Sequence, residues 1–206
     1  MAKIKLTKTE LKAQSDALKR FQRFLPMLQL KKQQLQAEIS AIGARIDEVA
    51  AKESAVHSQS AAWVALFSGE APDTLAGLVT LKRVVTDTSN IAGVSIPVFH
   101  GIETDAAELD LFATPAWFDD AAALVKTLLA LKAERGVLEE QRTLVIRELN
   151  TTSQRVNLFE KVKIPECKEN IRVIKIAIGD EQTASVTRGK IAKGRSKKPA
   201  NEVEAA

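Results

Sequence analysis

Between Leu11 and Val56 the chain keeps a seven-residue apolar repeat, and few folds tolerate one of that length. The a positions are Leu11, Leu18, Leu25, Lys32, Ile39, Ile46 and Glu53; the d positions are Gln14, Phe21, Leu28, Leu35, Ile42, Val49 and Val56. Eleven of the fourteen are apolar, with Lys, Arg, Gln, Glu and Asp between them. An untwisted helix drifts off a seam of period 3.5, so the repeat predicts a coiled-coil helix that supercoils with a partner. Thr7 followed by Glu10 is a capping-box pattern and puts the helix start near residue 8. At ~1.5 Å per residue such a helix reaches roughly 70 Å. Pro26 removes one hydrogen bond and crowds the preceding turn, a cost of about 3 kcal/mol. The pattern keeps its phase through Pro26, which predicts a kink; two separate helices are the alternative.

A second apolar stripe runs through Leu124, Leu128, Leu131, Leu138, Val145, Leu149, Val156 and Phe159, interrupted by Arg135, Arg142 and Thr152. Asp119 or Asp120 is placed to cap a helix starting at Ala121. Beyond Phe159 the phase slips, and Ile164, Cys167, Ile171, Ile174 and Ile178 continue in a new register beside Pro165, the signature of a stutter. Gly179 ends the strong pattern and is the expected end of the regular helix. Each segment has one apolar stripe and needs a partner. The economical solution is antiparallel pairing of the two with each other; pairing with copies in a homodimer is the alternative. The expected fold is therefore mainly α: a long antiparallel two-helix coiled coil formed by the N- and C-terminal segments, with a small central insert.

The expected organisation is a helix over 1–57, an insert over 58–120, a second helix over 121–193 and a flexible tail over 194–206. Within the insert, Trp63 to Phe67 is apolar and Ser68 to Asp73 reads as a turn. Leu81 to Thr88 is rich in Val and Thr, Asn90 to Gly93 supplies a turn, and Val94 to Phe99 carries Pro97, so a β-hairpin is expected near 81–99. A short helix is expected over Ala106 to Phe112, with Trp117 and Phe118 packing the insert onto the coil.

Composition agrees with a helical rod. Aromatics are only 4%, with no Tyr. The single Cys167 leaves no internal disulfide and fits a reducing compartment. No apolar run is long enough to span a bilayer, and Met1 to Leu11 does not read as a signal peptide. Chemistry-bearing groups do not assemble. Glu53 and His57 share a helix face, but a metal site needs three or four ligands. Cys167 lies among isoleucines as a structural thiol. Gly189 and Gly194 lack the strand-to-helix context of a phosphate loop. No cofactor, metal or catalytic residue is expected. The crowded Arg188, Lys190, Lys193, Arg195, Lys197 and Lys198 invite an acidic partner. No aromatic interleaves with them, so base stacking has no support and nucleic acid is not expected.

Four stretches together resemble the D subunit of the V-type and archaeal-type rotary ATPases, the central rotor stalk. They are Thr7 to Leu11 (TKTEL) with Leu30 to Ile39 (LKKQQLQAEI), Asn90 to Phe99 (NIAGVSIPVF), Arg155 to Cys167 (RVNLFEKVKIPEC) and Ile171 to Lys193. The third is the most specific, resembling the family's Arg-Val-Asn-x-x-Glu followed by Ile-Pro. The chain departs from the family pattern at Pro26 and in Asp180 to Lys193, which has fewer charges and where Ser185, Thr187 and Gly189 weaken helix.

The resemblance implies a non-catalytic shaft whose two ends enter a hexamer of catalytic and non-catalytic ATPase subunits. Lys8, Arg188, Lys190, Lys193 and Arg195 would face that hexamer. The middle would meet a small central-stalk subunit of the F type and a socket on the membrane ring, with no membrane insertion of its own. The location would be cytoplasmic, peripheral to the inner face of the cell membrane. The seam would comprise Leu18, Phe21, Leu25, Leu28, Leu35, Ile39, Ile42 and Ile46 against Val156, Phe159, Ile164, Ile171, Ile174 and Ile178, with Pro26 and Pro165 as kinks. The competing reading is a coiled-coil adaptor with a basic tail for an acidic partner or nucleic acid.

Overall fold

The computed structural model describes residues 4–61, 79–106 and 117–196. The order of elements is α1 (Lys8–Ser60), β1 (Val79–Ile91), β2 (Val94–Ala106), α2 (Phe118–Asn157), a π-helical turn (Leu158–Lys163) and α3 (Ile164–Ser196). The protein is thus mainly helical, with long N- and C-terminal helices and a central antiparallel hairpin. The expected features at Trp63 to Asp73 and at 107–112 lie outside the described residues.

α1 starts where its capping box puts it: the Glu10 N–H donates to Thr7 Oγ1 at 3.3 Å. The helix runs unbroken through Pro26, which corrects the two-helix alternative. All fourteen a and d positions from Leu11 to Val56 are buried or half-buried, Lys32, Glu53 and Gln14 included. α2 begins at Phe118, three residues before the expected Ala121. Asp119 and Asp120 lie inside its first turn, where their carboxylates complement the positive end of the helix dipole.

The phase slip after Phe159 takes the form of the π turn. Phe159 and Ile164 are five residues apart where a helical seam asks for three or four, and the wide turn absorbs the extra residue. The Ile164 N–H accordingly reaches back five places to the Phe159 carbonyl. Pro165, which has no N–H to give, follows in the first turn of α3. α3 does not end at Gly179. It continues through Gly189 and Gly194 to Ser196, and Thr183 and Thr187 tuck their hydroxyls onto the carbonyls of Gly179 and Thr183 at 3.0 Å each.

The hairpin is longer than expected: Ala106 is its last strand residue rather than the start of a helix. Ile91 pairs with Val94 across a two-residue turn in which Ala92 and Gly93 both have positive φ, 51° and 83°. That is the geometry of a type I′ turn, whose twist suits a hairpin. The Asn90 side chain closes it by accepting the Gly93 N–H at 2.9 Å. Pro97 sits opposite Thr88 in a ribbon that has only edge strands, so its missing donor is tolerated.

The chain divides into two compact units: Met1–Gln29 with Gln154–Ala206, and Leu30–Ser153. In the second unit Leu35 and Ile42 of α1, Val145 of α2 and Ile96 of β2 form one buried cluster, with Ile39, Ile46, Ala92, Val94 and Leu149 around it. Full burial of such side chains contributes about 1.5–3 kcal/mol each. Phe118 packs against Val79 at the base of the hairpin, with Trp117 and Val125 beside them, so both aromatics do join the insert to the coil. The Gln141 amide, itself buried, donates to the Pro97 carbonyl. Two ion pairs cross the coil, Lys31 to Glu148 at 2.7 Å and Glu53 to Arg135 at 3.4 Å. Glu53 therefore answers to Arg135 rather than to His57.

In the first unit the seam is narrower. Val156, Cys167 and Ile174 are buried, and Phe21 meets Phe159 with ring centroids 5.0 Å apart at a 47° tilt. Leu18, Leu25, Leu28, Ile164, Ile171 and Ile178 are half-buried. Gln14, the polar residue on this seam, bonds Glu10 at 2.8 Å and receives a long contact from Asn170 at 3.5 Å. A polar pair inside an apolar seam fixes register at some cost in stability.

Candidate partner-binding surface

The surface of the first unit is built for contact. Among the described residues, eleven large hydrophobic side chains are exposed, and nine of them belong to this unit. Phe24 and Met27 flank Pro26, Leu158 and Val162 lie on the π turn, and Val186 and Ile191 lie near the end of α3. The second unit contributes only Leu30 and Leu81. The number of exposed apolar side chains in the first unit makes it the candidate for a partner-binding region.

The last part of α3 points the same way. Every residue from Gly179 to Gly194 is exposed. Isolated helices of about 12–15 residues are marginal in water, and this one contains three glycines, two threonines and two serines between 179 and 196 that weaken it further.

The sequence-expected basic residues are only partly brought together. Arg188, Lys190 and Lys193 are exposed on α3, and Arg195 lies in its last turn. Lys8 opens α1 and shares a groove with Leu6, Ile178, Glu181 and Gln182. It also shares a second groove with Lys12, Lys19 and Lys175, which the sequence pattern did not single out. Their signal was the spacing Lys8, Lys12, Lys19, at i, i+4 and i+11 on one helical face.

Two cations near the start of α3 pair locally. Arg172 donates to both carboxylate oxygens of Glu169 at 2.7 and 2.9 Å, which holds that carboxyl below its usual range and raises the guanidinium. Lys163 meets Glu166 at 3.1 Å. Burial in the seam pushes the Cys167 thiol up, with the Glu166 carboxylate adding to the effect, so the sulfur is held in its unreactive form. Among the described residues there is no cluster of three or more His, Cys, Asp or Glu that could hold a metal, and no helix is long and apolar enough to cross a membrane.

These features define a class: an α-helical coiled-coil protein with a central hairpin, one unit of which offers an apolar and basic surface to a partner. The model of the ATP synthase D-subunit family matches residues 10–194. The chain belongs to that family. It is 46% identical over 193 residues to the V-type ATP synthase D subunit of Borreliella burgdorferi, covering 94% of this chain and 95% of that one. It is 32% identical over 207 residues to the protein of the same name from Chlamydia caviae, covering 100% and 99%. Against that of Chlamydia trachomatis serovar L2 it is 34% identical over 194 residues, covering 93% and 95%.

Proposed function

We propose that the chain is the central rotor shaft of a V/A-type rotary ATPase, carrying torque between an ATP-hydrolysing or ATP-synthesising hexamer and a membrane ion-translocating ring. Its relatives are named as parts of a V-type ATP synthase, and the observation that carries the reading is the exposed apolar surface of the first unit. A shaft end that turns inside a cavity has that surface enclosed on all sides, whereas a free adaptor would leave it in water.

In this reading the chain has no active site of its own and works by presenting a different face to each hexamer subunit as it turns. Pro26 and the π turn before Pro165 supply asymmetry along the seam. Lys8, Arg188, Lys190, Lys193 and Arg195 face the catalytic and non-catalytic subunits. The insert over 58–120 meets a small central-stalk subunit and the socket on the membrane ring. The assembly sits on the cytoplasmic face of the cell membrane.

Co-expression with the hexamer and small-stalk subunits, followed by mass measurement, tests the proposal. One copy of this chain per hexamer, bound one to one with the small subunit, is expected. A chain that forms a stable homodimer and stays out of the complex would overturn it. Truncation after Gly179 is expected to weaken assembly most at low salt, where the lost basic residues are least screened.

A further inference from the structure

The two units carry opposite charge. The first holds 19 Lys and Arg against 9 Asp and Glu, a formal +10; the second holds 11 against 17, a formal −6; together they give the chain's +4. A modest overall charge therefore conceals two units of opposite sign.

The basic charge of the first unit has a focus. Lys8, Lys12 and Lys19 on α1 and Lys175 on α3 line one groove with Leu11, Ser15 and Ile171, and the groove holds a single carboxylate, Asp16. All four lysines are exposed and none makes a salt bridge among the described residues, while Lys163 and Arg172 nearby in sequence each have an acidic partner. Folding does not explain the arrangement. Lys8 and Lys12, four apart on the helix, repel, and Lys8 stands at the N-terminus of α1, where the helix dipole disfavours a cation; Asp16, four residues after Lys12 and three before Lys19, offsets only part of the set. The groove keeps a repulsive set of charges that an anionic surface would relieve.

We infer that this lysine groove is a steering surface: it draws the first unit toward an acidic protein cavity, which repels the negative second unit, so that the first unit and not the second is the one that docks there. The inference rests on the rotor reading and takes the anionic wall of the hexamer cavity as its partner. Complementary fields of this kind act chiefly on the rate of encounter and on rejection of wrong orientations, and less on the lifetime of the complex.

The test is the rate at which the full chain, with its small partner subunit, joins the immobilised hexamer at low and high salt. The variant Lys8→Gln/Lys12→Gln/Lys19→Gln/Lys175→Gln is compared with a control of equal charge change in the second unit, Lys126→Gln/Lys132→Gln/Arg142→Gln/Arg147→Gln. All eight side chains are exposed, so both variants should fold, as circular dichroism will verify. At low salt the groove variant is expected to associate roughly tenfold more slowly than the wild type, with a dissociation rate within about twofold and a shallower salt dependence. The control should associate at least as fast as the wild type. Equal slowing in both variants, or a wild-type association rate that ignores salt, would overturn the inference while leaving the rotor reading intact. A wild-type chain that fails to bind the hexamer at any salt would overturn both. Binding of double-stranded DNA at physiological salt, as tight as binding of the hexamer and lost in the groove variant, would overturn the inference by assigning the groove to phosphates instead.

Discussion

The two units hold their helices together by different means. In the second, a third element covers the coil: Ile96 of the hairpin completes the cluster of Leu35, Ile42 and Val145, Gln141 fastens the Pro97 carbonyl, and Lys31 and Glu148 bridge the helices. In the first, two helices share a single file of side chains, and nine large apolar groups stay in water. The second unit can satisfy itself. The first is left unfinished, which is what a docking element requires, because surface already buried internally is not available to a partner.

Core truncation should expose this difference most strongly. Leu35 and Ile174 are both fully buried, and replacing either with Ala is expected to cost about 2–5 kcal/mol where it packs. Leu35→Ala should lower the main urea transition, whereas Ile174→Ala should open the first unit alone, seen as fast hydrogen exchange around residue 174 with the hairpin still protected. Identical global unfolding in both variants would break the comparison.

A smaller effect separates the hairpin from the coil. Gln141→Leu leaves the Pro97 carbonyl without its donor, at about 1–3 kcal/mol. Amides between Ile91 and Ile96 should exchange faster, and those near Ile174 should not change. Equal acceleration at both places would mean that the hairpin braces more than its own unit.

Cys167 reports the first unit from within. Its buried thiol, with the pKa raised, should react slowly with an alkylating reagent in the native chain. Ile174→Ala should speed that reaction severalfold, and Gln141→Leu should leave it unchanged.

Acid should give the smallest difference. Arg172 holds Glu169 below the usual carboxylate range in the first unit, chiefly through its hydrogen bonds, and Lys52 does the same for Glu48 in the second. A carboxyl whose pKa falls on folding contributes stability above its unfolded value and loses it as pH drops through the folded value. Both pairs are exposed, so a thermal melt should weaken slightly and equally in the two units below pH 4.5, the ordinary carboxylate value. Loss confined to one unit would show that other carboxylates dominate there.

What could be read from the sequence follows the same division. The α1 seam was legible residue by residue, because a coiled coil fixes burial through its own period, and even Lys32 and Glu53 keep their places on the buried stripe. The α2 seam was legible only in part. Arg135 and Arg142 interrupt the expected stripe and are exposed, while Val137 and Gln141 are buried, Gln141 with a bond to the hairpin's Pro97 carbonyl, a tertiary contact that the local period does not carry. The slip near Phe159 was visible as spacing, but only the backbone shows it as a π turn. Gly179 is a false stop, because a glycine in a helix costs only about 1 kcal/mol and has no power to end one alone. On the docking surface the dense basic tail is conspicuous in the sequence, while the more dispersed lysines at 12, 19 and 175 converge only once α1 and α3 are paired.

The central claim is that the chain turns inside the hexamer as a shaft. A bead attached to the hairpin, through a cysteine introduced at Ser95 in a Cys167→Ser background, can be watched under ATP with the hexamer fixed to a surface. The account predicts sustained rotation in one direction that stops when ATP is removed. A complex that assembles and hydrolyses ATP while the bead stands still would contradict it.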